Sequence, residues 1–205
     1  MTSSAFLPNS LPNLVAWYRK GVGQSSSTWL DQSGNAHDMA MTASPTISGG
    51  AYTFNGTTQY GQASFTLAQP LTIFCRLSVP SYQANAYMHD GTAPSSAAML
   101  MNTPSPAVAL FAGSGQVVDA THFPIGSLGN VVSIFNGASS NINVTSVANK
   151  VTGTPGTTAP GGLTAAVAGN QVTGPCNMTL VEFGAYSDAK GDTDITSLLS
   201  YLATL

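Results

Sequence analysis

Catalysis has little to work with in this chain. Its 205 residues include one glutamate, Glu182, with seven aspartates and three histidines. Glycoside hydrolysis needs two carboxylates flanking the scissile bond. Glu182 stands alone in TLVEFGAY, with Gly184 and Ala185 following it, so no E-x-D-x-x-E strand exists. The glutamate is read as a structural acid, with Arg76 as its partner if their strands are neighbours. Metal ligands could come from His37-Asp38, His89-Asp90 or Asp119 with His122. None has H-x-x-x-H or H-E-x-x-H spacing, and all are read as turn residues. There is no G-x-S-x-G elbow and no phosphate loop, and neither cysteine has a catalytic context. The chain is expected to be no enzyme and to need no cofactor.

Two other groups of residues could bind something. In STWLDQSGNAHDMAM, Asp31, Asn35 and Asp38 are of the types that hold calcium. The same residues suit a turn in which Asp31 accepts backbone N–H bonds, with Gly34 or Asn35 at positive φ. The turn is the preferred reading, with Trp29 as a core anchor. Sugar binding needs aromatic faces beside hydrogen-bonding groups. Tyr52, Tyr60, Tyr82 and Tyr87 lie at strand edges or loops and are the candidates, with ordinary sandwich packing as the preferred reading.

These residues must be positioned by short strands. LVAWYR, AYTFN, LTIFCRLSV, AVALFAG, NVVSIFNG, NINVTSV and MTLVEFGAY are apolar or alternating runs separated by Gly, Pro, Ser and Asn. In LTIFCRLSV, Leu71, Ile73, Cys75, Leu77 and Val79 share one face, as in a half-buried strand. Many such strands predict an all-β sandwich or jelly roll. Near the C-terminus, Ile195, Leu198, Leu199 and Leu202 fall at helical spacing, and Asp192 and Asp194 suit the helix start. Residues 149–162 are Pro/Gly/Thr-rich and read as a long surface loop. The domain is placed at 14–205, after an N-terminal arm at 1–13.

Charged residues make up 6% of the chain, against roughly 25% in ordinary soluble domains. The five basic residues are scattered, so no phosphate-binding patch for nucleic acid is present. No apolar run reaches the length of a membrane span. MTSSAFLPNSLPN lacks the charged and apolar regions of a secretory leader. Cys75 and Cys176 are expected to be unpaired, buried thiols. So bare a surface suits contacts with copies of the chain or with a partner, and equally a Ser/Thr/Asn/Gln surface that is merely neutral.

The order of motifs resembles LamG-like, concanavalin A-type jelly rolls over residues 14–204. WLDQSGN with AHDMAM, then YTFNG with QYGQA, is similar to the family's opening turn and hairpin. LTIFCRLSV, VSIFNGASSNINV and PGGLTAAV are similar to its middle strands. MTLVEFGAYSDAKGDTDITSLLSYL is similar to its closing strand and helix. Asn55 stands where the family usually has Asp, and Thr145-Ser146 where it has Asn-Gly, which removes potential calcium or turn chemistry. The variant it most resembles is found in virion proteins of tailed bacteriophages. The resemblance implies a structural capsid decoration, cement or head-fibre protein, made in the bacterial host cytoplasm and located in the virion. Its partners would be itself, as a homotrimer, and other virion proteins such as the major capsid protein. The alternative is a carbohydrate- or receptor-binding module of a phage tail or fibre, recognising a cell-surface glycan.

Overall fold

The computed structural model describes residues 6–93, 95–166 and 176–205. The first eight strands are β1 (Leu14–Tyr18), β2 (Thr28–Trp29), β3 (Met39–Thr42), β4 (Thr46–Ser48), β5 (Ala51–Asn55), β6 (Tyr60–Leu67), β7 (Leu71–Ser78) and β8 (Tyr87–Asp90). The next eight are β9 (Ala98–Met101), β10 (Val108–Phe111), β11 (Val117–Asp119), β12 (Gly129–Phe135), β13 (Ser140–Val144), β14 (Val151–Gly153), β15 (Gly161–Ala165) and β16 (Asn177–Tyr186). One helix, α1, spans Asp192–Ala203. The strands form two antiparallel sheets. The first has the order β14-β13-β12-β7-β16-β5-β4, with β1 also paired to β16; the second has the order β11-β10-β9-β8-β15-β6-β3-β2.

Alternation along the strands makes the space between the sheets a core. Leu71, Ile73, Cys75, Leu77 and Val79 enter it from the first sheet, as their period-two spacing predicts. Met39, Met41, Met88, Met99 and Met101 meet them from the second. Trp29 is fully buried, lies 4.9 Å from the Tyr52 ring and donates its indole N–H to the Arg19 carbonyl at 3.0 Å. Cys75 and Cys176 are both free thiols in this core, where burial pushes each up to about 12.

The strand β7 departs from the half-buried expectation, because its other face is also covered. Phe74, Trp17, Val132, Ile134 and Tyr186 receive Ile195, Leu198, Leu199, Tyr201 and Leu202 of α1. Gly184 makes this close packing possible, since a Cβ there would come within 2.4 Å of the Phe74 ring. The helix begins after Gly191, without a side-chain cap. Asp192 instead pairs with Lys150, and Asp194 sits in the first turn, where the helix dipole favours negative charge.

Residues 6–13 lie on the same layer. Phe6, Leu7 and Leu11 pack against it, and the Tyr186 hydroxyl donates to the Pro8 carbonyl at 2.8 Å. Lys190 Nζ donates to the Pro12 carbonyl at 2.7 Å. The described part of the N-terminal arm is therefore held by its own domain. Residues 149–162 contain the strand β14 and the start of β15, so they are more ordered than a surface loop. Their Gly and Pro content hid two short pairings that only the neighbouring strands reveal.

Candidate functional site

The turn after Trp29 is organised by one carboxylate. Asp31 Oδ1 accepts the backbone N–H groups of Trp17 and Ser33, both at 2.8 Å. Its Oδ2 accepts the Ser33 hydroxyl at 2.6 Å and the His37 N–H at 3.1 Å. Gly34 takes φ of +92° as expected, and Ala36 rather than Asn35 takes the second positive φ, +58°. Asn35 donates to the carbonyls of Leu14 and Val15, and Asp38 accepts the Asp31 N–H at 2.9 Å. The three calcium candidates thus serve the turn, each already bonded to protein. Among the described residues no three His, Cys, Asp or Glu side chains converge in a way that could hold a metal ion. Asp31→Ala is expected to cost about 2 kcal/mol, because it orphans several N–H groups. Calcium or a chelator should leave the wild-type melting temperature unchanged; a rise with calcium in a thermal scan would restore the cation reading.

Glu182 is buried beneath α1. It and Arg76 are register partners across β16 and β7, so the strands are neighbours as anticipated. The ion pair, however, does not form. The carboxylate accepts the Trp17 indole N–H, the Tyr201 hydroxyl at 2.6 Å and the Lys20 backbone N–H at 2.6 Å. Arg76 donates instead to Asn130 Oδ1 at 2.7 Å and to the Leu202 carbonyl at 2.8 Å, in the last turn of the helix. β1 and α1 bring donors that the sequence could not place next to Glu182. Burial raises the carboxyl above the usual range, and its three donors and nearby Arg19 partly offset this.

The other pairs are structural as well. Asp90 lies under the loop that follows it and accepts the N–H groups of Gly91, Ser95, Ser96 and Ala97. His89 points the other way, into the core, where Nδ1–H donates to the Ala97 carbonyl at 3.0 Å. Asp119 accepts the Thr121 and His122 N–H groups, both at 3.0 Å, and His122 Nδ1 approaches it at 3.0 Å. His37 stacks on Phe65 at 4.1 Å and donates Nδ1–H to the Val15 carbonyl.

The tyrosines divide. Tyr52 is a core residue bonded to Ser25 and Thr28, which removes it as a sugar platform; the alternation of AYTFN put it inward, between Trp29 and Phe54. Tyr82 packs at the core margin with its hydroxyl on the Asn102 carbonyl at 2.8 Å. Tyr60 and Tyr87 remain half-buried on the outer face of the second sheet. Tyr60 pairs with Thr42, one residue before inward Gly61, and Tyr87 precedes inward Met88. They stand on β6 and β8, at the same end of β15, the strand between them. Two strand spacings separate those strands by about 10 Å.

That outer face differs from its counterpart. On the first sheet's outer face α1 and residues 6–11 cover β1, β7, β12 and β16, and leave β4 and β5 exposed. On the second, Tyr87 and Phe111 pack over Ala98, Leu100 and Ala109. Val118, on the edge strand, is 37% exposed. Gln62 and Ser64 add amide and hydroxyl groups on the same side, by alternation with inward Ala63, whereas Thr164 is buried with its hydroxyl donating to the Asp90 carbonyl at 3.3 Å. Phe111 escaped the sequence reading, although Val108 and Leu110 in AVALFAG place it on the opposite face. The five cations lie elsewhere. Arg19, Lys20 and Arg76 serve the face under α1, Lys150 pairs with Asp192, and Lys190 packs over Tyr186.

No protein-family model matches the chain, and no curated protein matches it. Solved structures do. Domain 4 of a GH43 extracellular arabinanase from Geobacillus stearothermophilus, in complex with arabinotriose, aligns with TM-score 0.69 at 15% identity, over 91% of this chain and 98% of that one. Trypanosoma rangeli sialidase aligns with TM-score 0.72 at 11% identity, over 93% of this chain and 33% of that one. The receptor-binding domain of botulinum neurotoxin C/D mosaic serotype aligns with TM-score 0.70 at 6% identity, over 94% and 52%. The fold is a concanavalin A-like jelly roll. The chain spans about a third of the sialidase chain and about half of the neurotoxin one. At these identities the likeness is one of fold.

Proposed function

We propose that this jelly roll is a non-catalytic binding module that engages an uncharged glycan through the open face of its second sheet. The observation that carries the reading is the asymmetry of the two outer faces. One is covered over its central strands by a helix; the other offers half-buried aromatic rings beside hydroxyl and amide groups, the combination that sugar recognition uses. Tyr60, Gln62, Ser64, Tyr87, Phe111 and Val118 are all uncharged, and each of the five Lys and Arg side chains serves another part of the fold. A sialylated or sulfated ligand would meet no cation there, whereas a neutral sugar loses nothing. The arabinanase domain, solved with arabinotriose, lends support as a nearly full-length match.

A second reading, the structural virion protein, is favoured by a different observation. Only 6% of the residues are charged, and the edge strand β4 is exposed throughout, with Ile47 38% exposed and no Lys or Glu to guard it. Such an edge suits contacts with copies of the chain, as a homotrimer, or with a capsid protein.

Glycan-array screening of the purified chain, followed by calorimetry, separates the two. Neutral oligosaccharides are expected to bind, with little dependence on salt. Tyr60→Ala and Tyr87→Ala should each weaken binding by about tenfold while unfolding stays cooperative. An empty array together with a stable trimer in solution would move the conclusion to the virion reading. Binding that survives both substitutions would place the site away from this face.

A further inference from the structure

Asn-Gly bonds are chemically labile, because the glycine nitrogen can attack the asparagine side chain without hindrance from a Cβ. The chain has two, Asn55-Gly56 and Asn136-Gly137. Both are in turns, yet the fold treats them differently.

Asn55 has its side chain fully engaged. Its Oδ1 accepts the N–H groups of Thr57 at 2.9 Å, Thr58 at 3.0 Å and Gln59 at 3.3 Å. Its Nδ2 donates to Thr58 Oγ1 at 3.1 Å. Turning Cγ toward the Gly56 nitrogen would break all four bonds. Asn136 follows the strand β12 and precedes the short 3₁₀ turn Gly137–Ser139, with an exposed side chain that makes no hydrogen bond among the described residues. One restraint acts on the other reactant, since the Gly137 N–H donates to Gln69 Oε1 at 3.1 Å.

We propose that Asn136 is a self-modification site, which converts to aspartate and isoaspartate in the folded protein while Asn55 is protected. The Gly137 nitrogen gives up its proton and attacks Cγ of Asn136. The new C–N bond forms as the bond from Cγ to Nδ2 breaks, and ammonia leaves. Water then opens the cyclic imide. Breaking the bond from the glycine nitrogen to Cγ yields aspartate; breaking the bond to the backbone carbonyl carbon yields isoaspartate. Gln69 restrains the attacking nitrogen, and is a positioning residue for this chemistry. The product would put a carboxylate in a cleft lined by Gln69, Asn136 and Thr157, where no lining side chain is charged.

The test is peptide mass spectrometry, with enzymatic isoaspartate labelling, of the full chain aged at mildly alkaline pH. In concentrated urea the two bonds should react at similar rates, as both are Asn-Gly. In the folded chain Asn136 is expected to react at least about tenfold faster than Asn55, because four hydrogen bonds must open at Asn55 and one at Gly137. Gln69→Ala should raise the rate at Asn136 and leave Asn55 unchanged, which also shows that the variant is folded. Equal rates in the folded chain, or a lead for Asn55, would overturn the proposal. An unchanged Asn136 rate in Gln69→Ala would remove the role given to Gln69, and a rise at both sites would show that unfolding, not the turn, sets the rate. In that last case the ratio of the two rates in the folded wild type decides alone.

Discussion

Glu182→Ala is expected to lower the unfolding free energy by about 3 kcal/mol. The carboxylate is the shared acceptor for three donors from three elements: Trp17 of β1, the Lys20 backbone after it, and Tyr201 of α1. Removing it leaves all three buried without an acceptor, under a helix whose end Arg76 and Lys20 tie down through the Leu202 and Leu205 carbonyls. Glu182→Gln keeps one acceptor oxygen and should cost about half as much. Urea denaturation reads both, with a lower midpoint and an unchanged slope. A variant as stable as the wild type would mean that burying the charge costs as much as its hydrogen bonds contribute. The pH dependence adds a check. Folding raises this carboxyl above its unfolded value of 4.5, so its contribution is full below that value and is lost as pH rises through the folded value. The glutamine variant should lose that slope.

Acid should weaken the fold through His89, in the opposite sense. The ring is fully buried against Phe135 and Phe183, and its Nε2 has no hydrogen-bond partner. Burial lowers the imidazole from 6.5 to about 4. Below pH 6.5 the unfolded chain therefore binds a proton that the folded chain refuses. The stabilisation is complete above 6.5 and is lost as pH falls toward 4, amounting to about 3 kcal/mol across that window. His89→Phe removes the titration. It should be within about 1 kcal/mol of the wild type at neutral pH, where it forfeits only the bond to Ala97. Near pH 4 it should be the more stable of the two. Parallel stability profiles for the two proteins would show that His89 is protonated in the fold without cost. The Glu182 slope is common to both proteins, so the difference between the profiles isolates His89.

Local pattern was enough for much of this molecule. Period-two spacing in LTIFCRLSV assigned each side chain of β7 to its face, and helical spacing from Ile195 to Leu202 found the buried stripe of α1. The Asp31 turn was legible because an Asx turn is a contact between near neighbours, and its Asp, Ser and Gly stand within four residues. The all-β jelly roll followed from the number and spacing of strands. Long-range assembly decided the rest. Glu182 finds Trp17 across 165 residues and Tyr201 across 19, so no local pattern could rank them above Arg76. Tyr52 and Tyr87 look alike as strand tyrosines, yet one is sealed between Trp29 and Phe54 while the other caps an outer face. Alternation in a strand fixes which residues share a side. Which side becomes the interior, and whether the other is covered or left open, depends on where the second sheet and the helix come to rest.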